Sequence, residues 1–404
     1  MKNSKQTLSK ESLRPLYFFV VIWGERYLDY LTEYCIPSLL SSNNIPALAG
    51  GKKNKFIFCI TRQEWMSLQQ HDIFLELSQY ITPVFMEIPY PDSKVPPCIH
   101  MGIGHKLATN LCFQDKAYGI ALTPDLVISD GTFRTVEQHA LMGKQIVFCA
   151  ALRFSEEAVM QGFKQNSLSE NTVLTGKKLV EIGMQSLHSE TLRYDFDSPC
   201  FAANAPACYW RVPSDDGMVL HSMSWCPLLL DYSILKDHST KTLDEWTLDG
   251  DYVYQNFQSA DQIHVCTDSD EMMLLSWGPE PLGSLPLKPS FPRKLLSLMH
   301  IPYNIFIVKG TLCHSMYDPL KVKLFQLPVR WHIGQITPEW QKFEAKVQHF
   351  IPKGKTLTGT LFNRLHTLFE RPYNYCIIIG QAIFGNQEAR RRITVRLKRL
   401  YYSQ

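Results

Sequence analysis

The chain has 404 residues, 45% hydrophobic and 20% charged, with a formal net charge of +3. This composition excludes a disordered chain, and the charge is too weak to point to nucleic acid as a partner. The eleven cysteines form no CxxC pair and several lie in apolar runs, so no zinc site and a reducing, cytoplasmic compartment are expected.

In chain order, residues 1–14 are polar and read as a flexible N-terminus. Residues 16–23, rich in Phe, Val and Ile, predict a buried first strand closed by Gly24. The run is far too short to span a bilayer, and no other stretch approaches that length, so the protein reads as soluble or peripheral. Residues 27–40 have helical apolar spacing, interrupted near the end by Pro37. A second strand is predicted over 55–61, a helix over 65–80 and a third strand over 81–88. A helix over 101–113, a fourth strand over 119–128, a helix over 132–142 and a fifth strand over 145–152 follow.

This alternation predicts an α/β fold with a mainly parallel, doubly wound sheet over residues 15–155. Residues 156–276 read as an acceptor-side region, helical over 155–189, irregular around 200–231, with a short strand at 263–266. The proline-rich stretch 277–293 reads as a linker or long surface loop. Residues 294–404 read as mostly helical, ending in a basic helix with Arg390, Arg391, Arg392, Arg396, Lys398 and Arg399. That helix is either a solvated, capped end or a peripheral contact with an anionic membrane.

The most informative stretch is Gly119-Ile-Ala-Leu-Thr-Pro-Asp-Leu-Val-Ile-Ser-Asp-Gly-Thr132. In open α/β sheets, ligands bind beyond the carboxyl ends of the strands. An acid there, Asp125, faces a ligand crevice, where it can bind a divalent metal (Mn²⁺ or Mg²⁺) or hold a sugar hydroxyl. Asp130 follows in an Asp-Gly turn, the bland alternative for this stretch.

Other residues fit a nucleotide-sugar site. Glu25 and Tyr27 follow the first strand, where Glu25 can accept from a base or ribose, or simply favour a helix start, and Tyr27 can stack on a base. Thr61 and Arg62 end the second strand, and Arg62 can meet a phosphate or lie exposed. Lys106 and Arg153 can neutralise a diphosphate, or serve as a solvated lysine and a surface ion pair. His221 is a further metal ligand or a buried structural histidine. Asp251 and Asp270 belong to two acid clusters that supply a general base or mark turns.

The order of strand, Glu/Tyr helix, strand, helix, basic helix and Asp-bearing strand resembles GT-A-type glycosyltransferases of the nucleotide-diphospho-sugar transferase superfamily. Among them it is most similar to retaining galactosyl- and glucosyl-transferases. Lys106 matches their basic helical position, Leu122-Thr-Pro-Asp125 their Asp-x-Asp strand end, and Asp130-Gly-Thr the following acid. Ile36-Pro-Ser-Leu-Leu40 with Asn44-Ile-Pro-Ala-Leu48, and Ser129-Asp-Gly131, are similar to uncharacterised bacterial members. The first acid of Asp-x-Asp is Thr123 here, which removes one metal ligand from the pattern. The resemblance implies a sugar moved from a nucleotide diphosphate to a hydroxyl of a glycan, lipid-linked or protein acceptor, in surface polysaccharide or glycoconjugate synthesis. Asp125, with His221 or Asp130, would hold the metal. Thr123 keeps a non-catalytic binding or scaffold protein as the alternative. A nucleotidyltransferase would show a glycine run that Trp23-Gly-Glu-Arg-Tyr27 lacks.

Overall fold

A computed structural model describes residues 13–165, 173–198, 200–202, 205–214, 216–248, 251–280, 300–313, 319–383, 390 and 393. Its strands are β1 (Leu16–Ile22), β2 (Lys55–Ile60), β3 (Thr82–Glu87), β4 (Tyr118–Leu122), β5 (Leu126–Ile128), β6 (Ile146–Ala150) and β7 (Arg153–Ser155). They continue with β8 (Ala207–Arg211), β9 (Gly217–Ser222), β10 (Trp225–Asp231), β11 (Ile263–Cys266), β12 (Leu274–Gly278) and β13 (Val329–His332). The helices used below are α1 (Glu25–Tyr30), α2 (Ile36–Leu39), α3 (Arg62–Leu68), α4 (Asp72–Tyr80), α5 (Pro97–Gln114), α6 (Thr132–Leu141), α7 (Glu156–Gln165) and α8 (Gly176–Gln185).

Seven strands form the central sheet in the order β11-β6-β10-β4-β1-β2-β3. β1 runs parallel to β2 and β4, β2 to β3, and β6 to β11. Only β10, between β4 and β6, runs antiparallel to its neighbours. Every residue of β1 is buried, and its side chains alternate between the faces as a strand requires. Tyr17, Phe19 and Val21 enter a core with Ala108 and Cys112 of α5. Leu16, Phe18, Val20 and Ile22 enter a second core with Leu28, Ile36, Leu77 and Phe133 of α1, α2, α4 and α6. A parallel sheet covered on both faces explains the unbroken apolar run of β1.

The fourth predicted strand is two strands. β4 ends at Leu122 in the central sheet, and after Thr123-Pro124-Asp125 the chain enters a smaller sheet of order β5-β12-β7. The Trp277 N–H donates to the Asp125 carbonyl at 3.2 Å, tying β12 to the break. Trp277 is therefore a core residue within β12 rather than the start of a loop. Residues 281–293 of the proposed linker lie outside the described residues.

Residues 200–231 are also more regular than their sequence suggests. β8, β9 and β13 form an antiparallel sheet, and β9 leads into β10. Pro227 disguises β10, because proline lacks the N–H a central strand needs. The strand accommodates it with a register shift between Pro227 and Leu229. Pro37 is absorbed in a comparable way. A π-helical turn, Leu31–Cys35, joins α1 to α2, and Pro37 falls in the first turn of α2, where its missing N–H costs little.

Two glycines of α5 allow close approach, Gly104 to the sheet and Gly102 to the turn at residues 241–244. A Cβ on Gly104 would come within 2.6 Å of Val21 and 2.9 Å of Cys59. A Cβ on Gly102 would stand 2.1 Å from the Leu243 carbonyl oxygen. Backbone yields less readily than a side-chain tip, so Gly102→Ala is expected to lower stability by about 1–3 kcal/mol. Urea unfolding measures this, and an unchanged midpoint would show that α5 does not sit this close to residue 243.

Candidate functional site

The strand order fixes where a switch point falls. The chain moves outward from β1 to β2 and β3, then returns to place β4 on the other side of β1. This reversal is a topological switch point, the usual ligand position in such sheets. Val20 pairs with Leu122 and Ile22 with Ile60, so residues 23–27, 61–64 and 123–125 leave the sheet side by side.

Asp125 stands at this end, partly open to solvent. The protein packed around it pushes its carboxyl pKa above the ordinary aspartate value, more than a hydrogen bond from Thr123 and the nearby Arg153 pull it down. Glu156, at the start of α7, adds to the upward shift. The Tyr27 hydroxyl is also shifted up, by burial first and then by the charge of Asp125. Tyr27, Asp125, Arg153 and Glu156 thus act on one another electrostatically.

Helix α1 braces this group. Arg26 pairs with Glu156, and Tyr30 donates its hydroxyl proton to the same carboxylate. The Arg26 Nε donates to the Tyr30 oxygen at 2.8 Å. Burial, then the bond to Glu156, pushes the Tyr30 hydroxyl up to about 12. Trp277 packs edge-on to Tyr30 at 5.6 Å between ring centroids, fixing the helix against the small sheet. Arg153 is largely exposed and makes a loose 3.5 Å pair with Glu190, leaving it able to turn toward an anion.

Beside the Trp23-Gly24 end of β1 lie three buried polar atoms without a hydrogen-bond partner: Thr61 Oγ1, Glu64 Oε2 and His100 Nε2. Glu64 accepts from the Gly24 N–H at 3.1 Å through its other oxygen. The His100 ring stands edge-on to Trp23 at 4.7 Å, and burial lowers its pKa. Unpartnered buried polar atoms are uncommon in folded proteins. Gly24 has φ +83°, a conformation that favours glycine.

Glu25 is exposed in the first turn of α1 and makes no capping bond. Arg62 pairs with Glu87 and lies over Phe85, an exposed ion pair on the outer side of the sheet. Lys106 pairs with Asp244, down the helix from His100. Asp130 accepts from the Ser41 hydroxyl, the Asn43 N–H at 2.9 Å and the Asn43 amide at 2.7 Å. Those bonds hold its carboxyl below the usual range despite partial burial, and they make it a tether for the 41–43 loop. Asp251 precedes a helix whose Tyr252 hydrogen-bonds Tyr232, under the later half of α5. Asp270 faces Lys177 at 4.0 Å and His332 at 3.9 Å, before β12 and at the far end of the small sheet from Asp125. The structure therefore brings Tyr27 and Arg153 to Asp125 and does not bring Arg62, Lys106, Asp130, Asp251 or Asp270 there.

His221 is also apart. It is fully buried, with Nδ1 donating to the Phe325 carbonyl at 2.9 Å and the ring packed near Trp210 and Phe325. The donor set at Asp125 is thus one carboxylate with a threonine hydroxyl bonded to it. Among the described residues no group of three or more His, Cys, Asp or Glu ligand atoms includes Asp125. This set by itself does not enclose a divalent cation, and no chemical step below is routed through one.

The same geometry makes His221 an acid sensor of stability. Burial lowers its pKa from 6.5 to about 4, since a proton on Nε2 would have no acceptor. Between those values the unfolded chain binds the proton and the folded chain does not. Stability is therefore expected to fall as pH drops from 6.5 towards 4, by up to about 3 kcal/mol from this residue. Urea unfolding across that range should show a shallower slope in His221→Leu, and an identical slope would contradict the assignment.

No family model and no curated protein matches the chain. Among solved structures, S. aureus TarS is similar at a TM-score of 0.30 and 10% sequence identity. The match covers 74% of this chain and 43% of that one, so this chain spans less than half the length of TarS.

Proposed function

We propose that the chain is a glycosyltransferase that binds a nucleotide-diphosphate sugar in the crevice between β1 and β4 and transfers the sugar to an acceptor hydroxyl. The observation that carries this reading is Asp125 at the switch point, with Arg153 and Tyr27 beside it. The fold assignment to the GT-A class belongs to the same proposal, supported by the strand order and the small sheet that follows Asp125.

In this reading the nucleobase lies at the Trp23 end, near Thr61, Glu64 and His100, with Tyr27 available to stack. The sugar lies over Asp125, whose raised pKa suits a carboxyl that holds a sugar hydroxyl or exchanges a proton with it. As the anomeric C–O bond breaks, negative charge develops on the leaving diphosphate. Arg153 is placed to stabilise that charge where it appears. Arg26 is committed to Glu156 and serves to fix α1. The acceptor would approach from the side formed by residues after 150.

Thr123 in place of an acid, and a single carboxylate at the break, favour a second reading: a binding protein that keeps the crevice without turnover. One experiment separates the two. Purified protein is titrated with UDP, GDP, CDP and their sugars, with thermal shift and sugar-hydrolysis readouts, alongside Asp125→Asn and Arg153→Ala. The transferase reading expects stabilisation by one nucleotide class and hydrolysis reduced about 100-fold or more in Asp125→Asn. Stabilisation without turnover would support the binding protein. No response from folded protein would sink both. If the carboxylate form of Asp125 holds the donor, affinity is expected to fall on acidification at a higher pH than an ordinary aspartate would give.

A further inference from the structure

Apart from Asp125, three elements meet at one point, two of them seven residues apart in the chain and the third more than a hundred residues away. His139 comes from α6, His264 from the edge strand β11, and Glu271 from the turn before β12. The two imidazoles stack with ring centroids 3.7 Å apart and planes at 24°. Both Nε2 atoms aim at the same carboxylate oxygen, at 2.8 Å from His139 and 2.7 Å from His264. The three ligand atoms lie within 4.8 Å of one another. The His264 and Glu271 side chains are about a quarter exposed, so an ion has a path in from solvent.

We propose that His139, His264 and Glu271 bind a divalent transition metal of the zinc class, with the remaining position open to water. Two imidazole nitrogens and one carboxylate oxygen form a ligand set that such ions favour over magnesium or calcium. The expectation of no zinc site rested on cysteine spacing, which says nothing of histidine and carboxylate ligands. Bound there, the ion fastens α6 to β11, which has a single strand partner, β6, in the central sheet.

A second cluster, Asp268, Asp270 and His332, also brings its ligand atoms within 4.8 Å of one another but carries its own cation. The Lys177 ammonium stands 4.0 Å from Asp270, so a protein cation already faces its acids. At the first cluster the metal replaces the two Nε2–H bonds to Glu271 and moves each imidazole proton to Nδ1. The Nδ1 of His139 is buried without a protein acceptor. Binding is therefore expected to be roughly 10–100-fold weaker than at a site with a carbonyl behind each histidine.

The test uses the full chain, stripped of metal by a chelator, titrated with Zn²⁺ by calorimetry and with Co²⁺ by visible absorption. The expected result is one equivalent bound, with affinity reduced about tenfold or more in both His264→Gln and Glu271→Gln. Asp268→Asn should bind as the parent does. Each variant is first shown to melt cooperatively, and two separate ligand changes guard against a single folding defect. Absence of uptake, uptake unchanged in both variants, or loss in Asp268→Asn alone would overturn the proposal. The crevice and its nucleotide reading stand or fall separately.

Discussion

The arrangement depends on one break in the backbone, where β4 ends and Thr123-Pro124-Asp125 carries the chain into a second sheet. A proline cannot donate to the ladder, so the central sheet loses this strand at Leu122. The Trp277 N–H then captures the Asp125 carbonyl and brings β12, and with it β7, beside the break. Without that capture, Arg153 and Glu156 would have no reason to stand near Asp125. The same tryptophan ring packs on Tyr30, so the break also sets the position of α1.

Packing around the break has an electrostatic consequence. The carboxyl of Asp125 sits where protein has displaced most of its water, with one arginine and one glutamate in range. Desolvation outweighs the arginine, and the proton is held more tightly than in water. Glu156 is compensated locally by Arg26 and Tyr30, a pairing that contributes more to geometry than to stability because Arg26 is half exposed. The two carboxyls therefore differ in kind: one is available to a ligand and one is occupied by the scaffold.

Much of the first half of the fold was legible in the sequence. β1 and β2 follow directly from apolar runs, because both faces of a parallel sheet are buried there; β3 is a half-buried edge strand, and the one helix expected over 65–80 is two, α3 and α4. The short strand expected over 263–266 is β11, whereas β8, β9 and β10 were hidden, β10 for a local reason: Pro227 and the mixed Trp, Cys and Pro composition break its period-two pattern. The continuous strand expected over 119–128 failed at Pro124, a residue visible in the sequence whose effect needed the second sheet to be understood.

The candidate site was legible in part. Asp125, Tyr27 and Arg153 are all strand-end or helix-start residues, which is a position sequence can show. Glu156, Arg26 and Tyr30 were not singled out, since nothing in a Ser-Glu-Glu helix start announces a partner 130 residues away. His100 and Glu64 were missed because their interest lies in unpartnered atoms, a property of packing alone. Lys106, Arg62 and Asp130 had the right residue type but found partners elsewhere. The most direct test of the nucleotide-crevice account is location. The protein would be irradiated with a nucleotide diphosphate carrying a photoreactive base, and the labelled peptides mapped by mass spectrometry. The account expects label on the segments around residues 23–27, 61–64 and 97–101, removed by excess unlabelled nucleotide. Competable label confined to any other surface would contradict it.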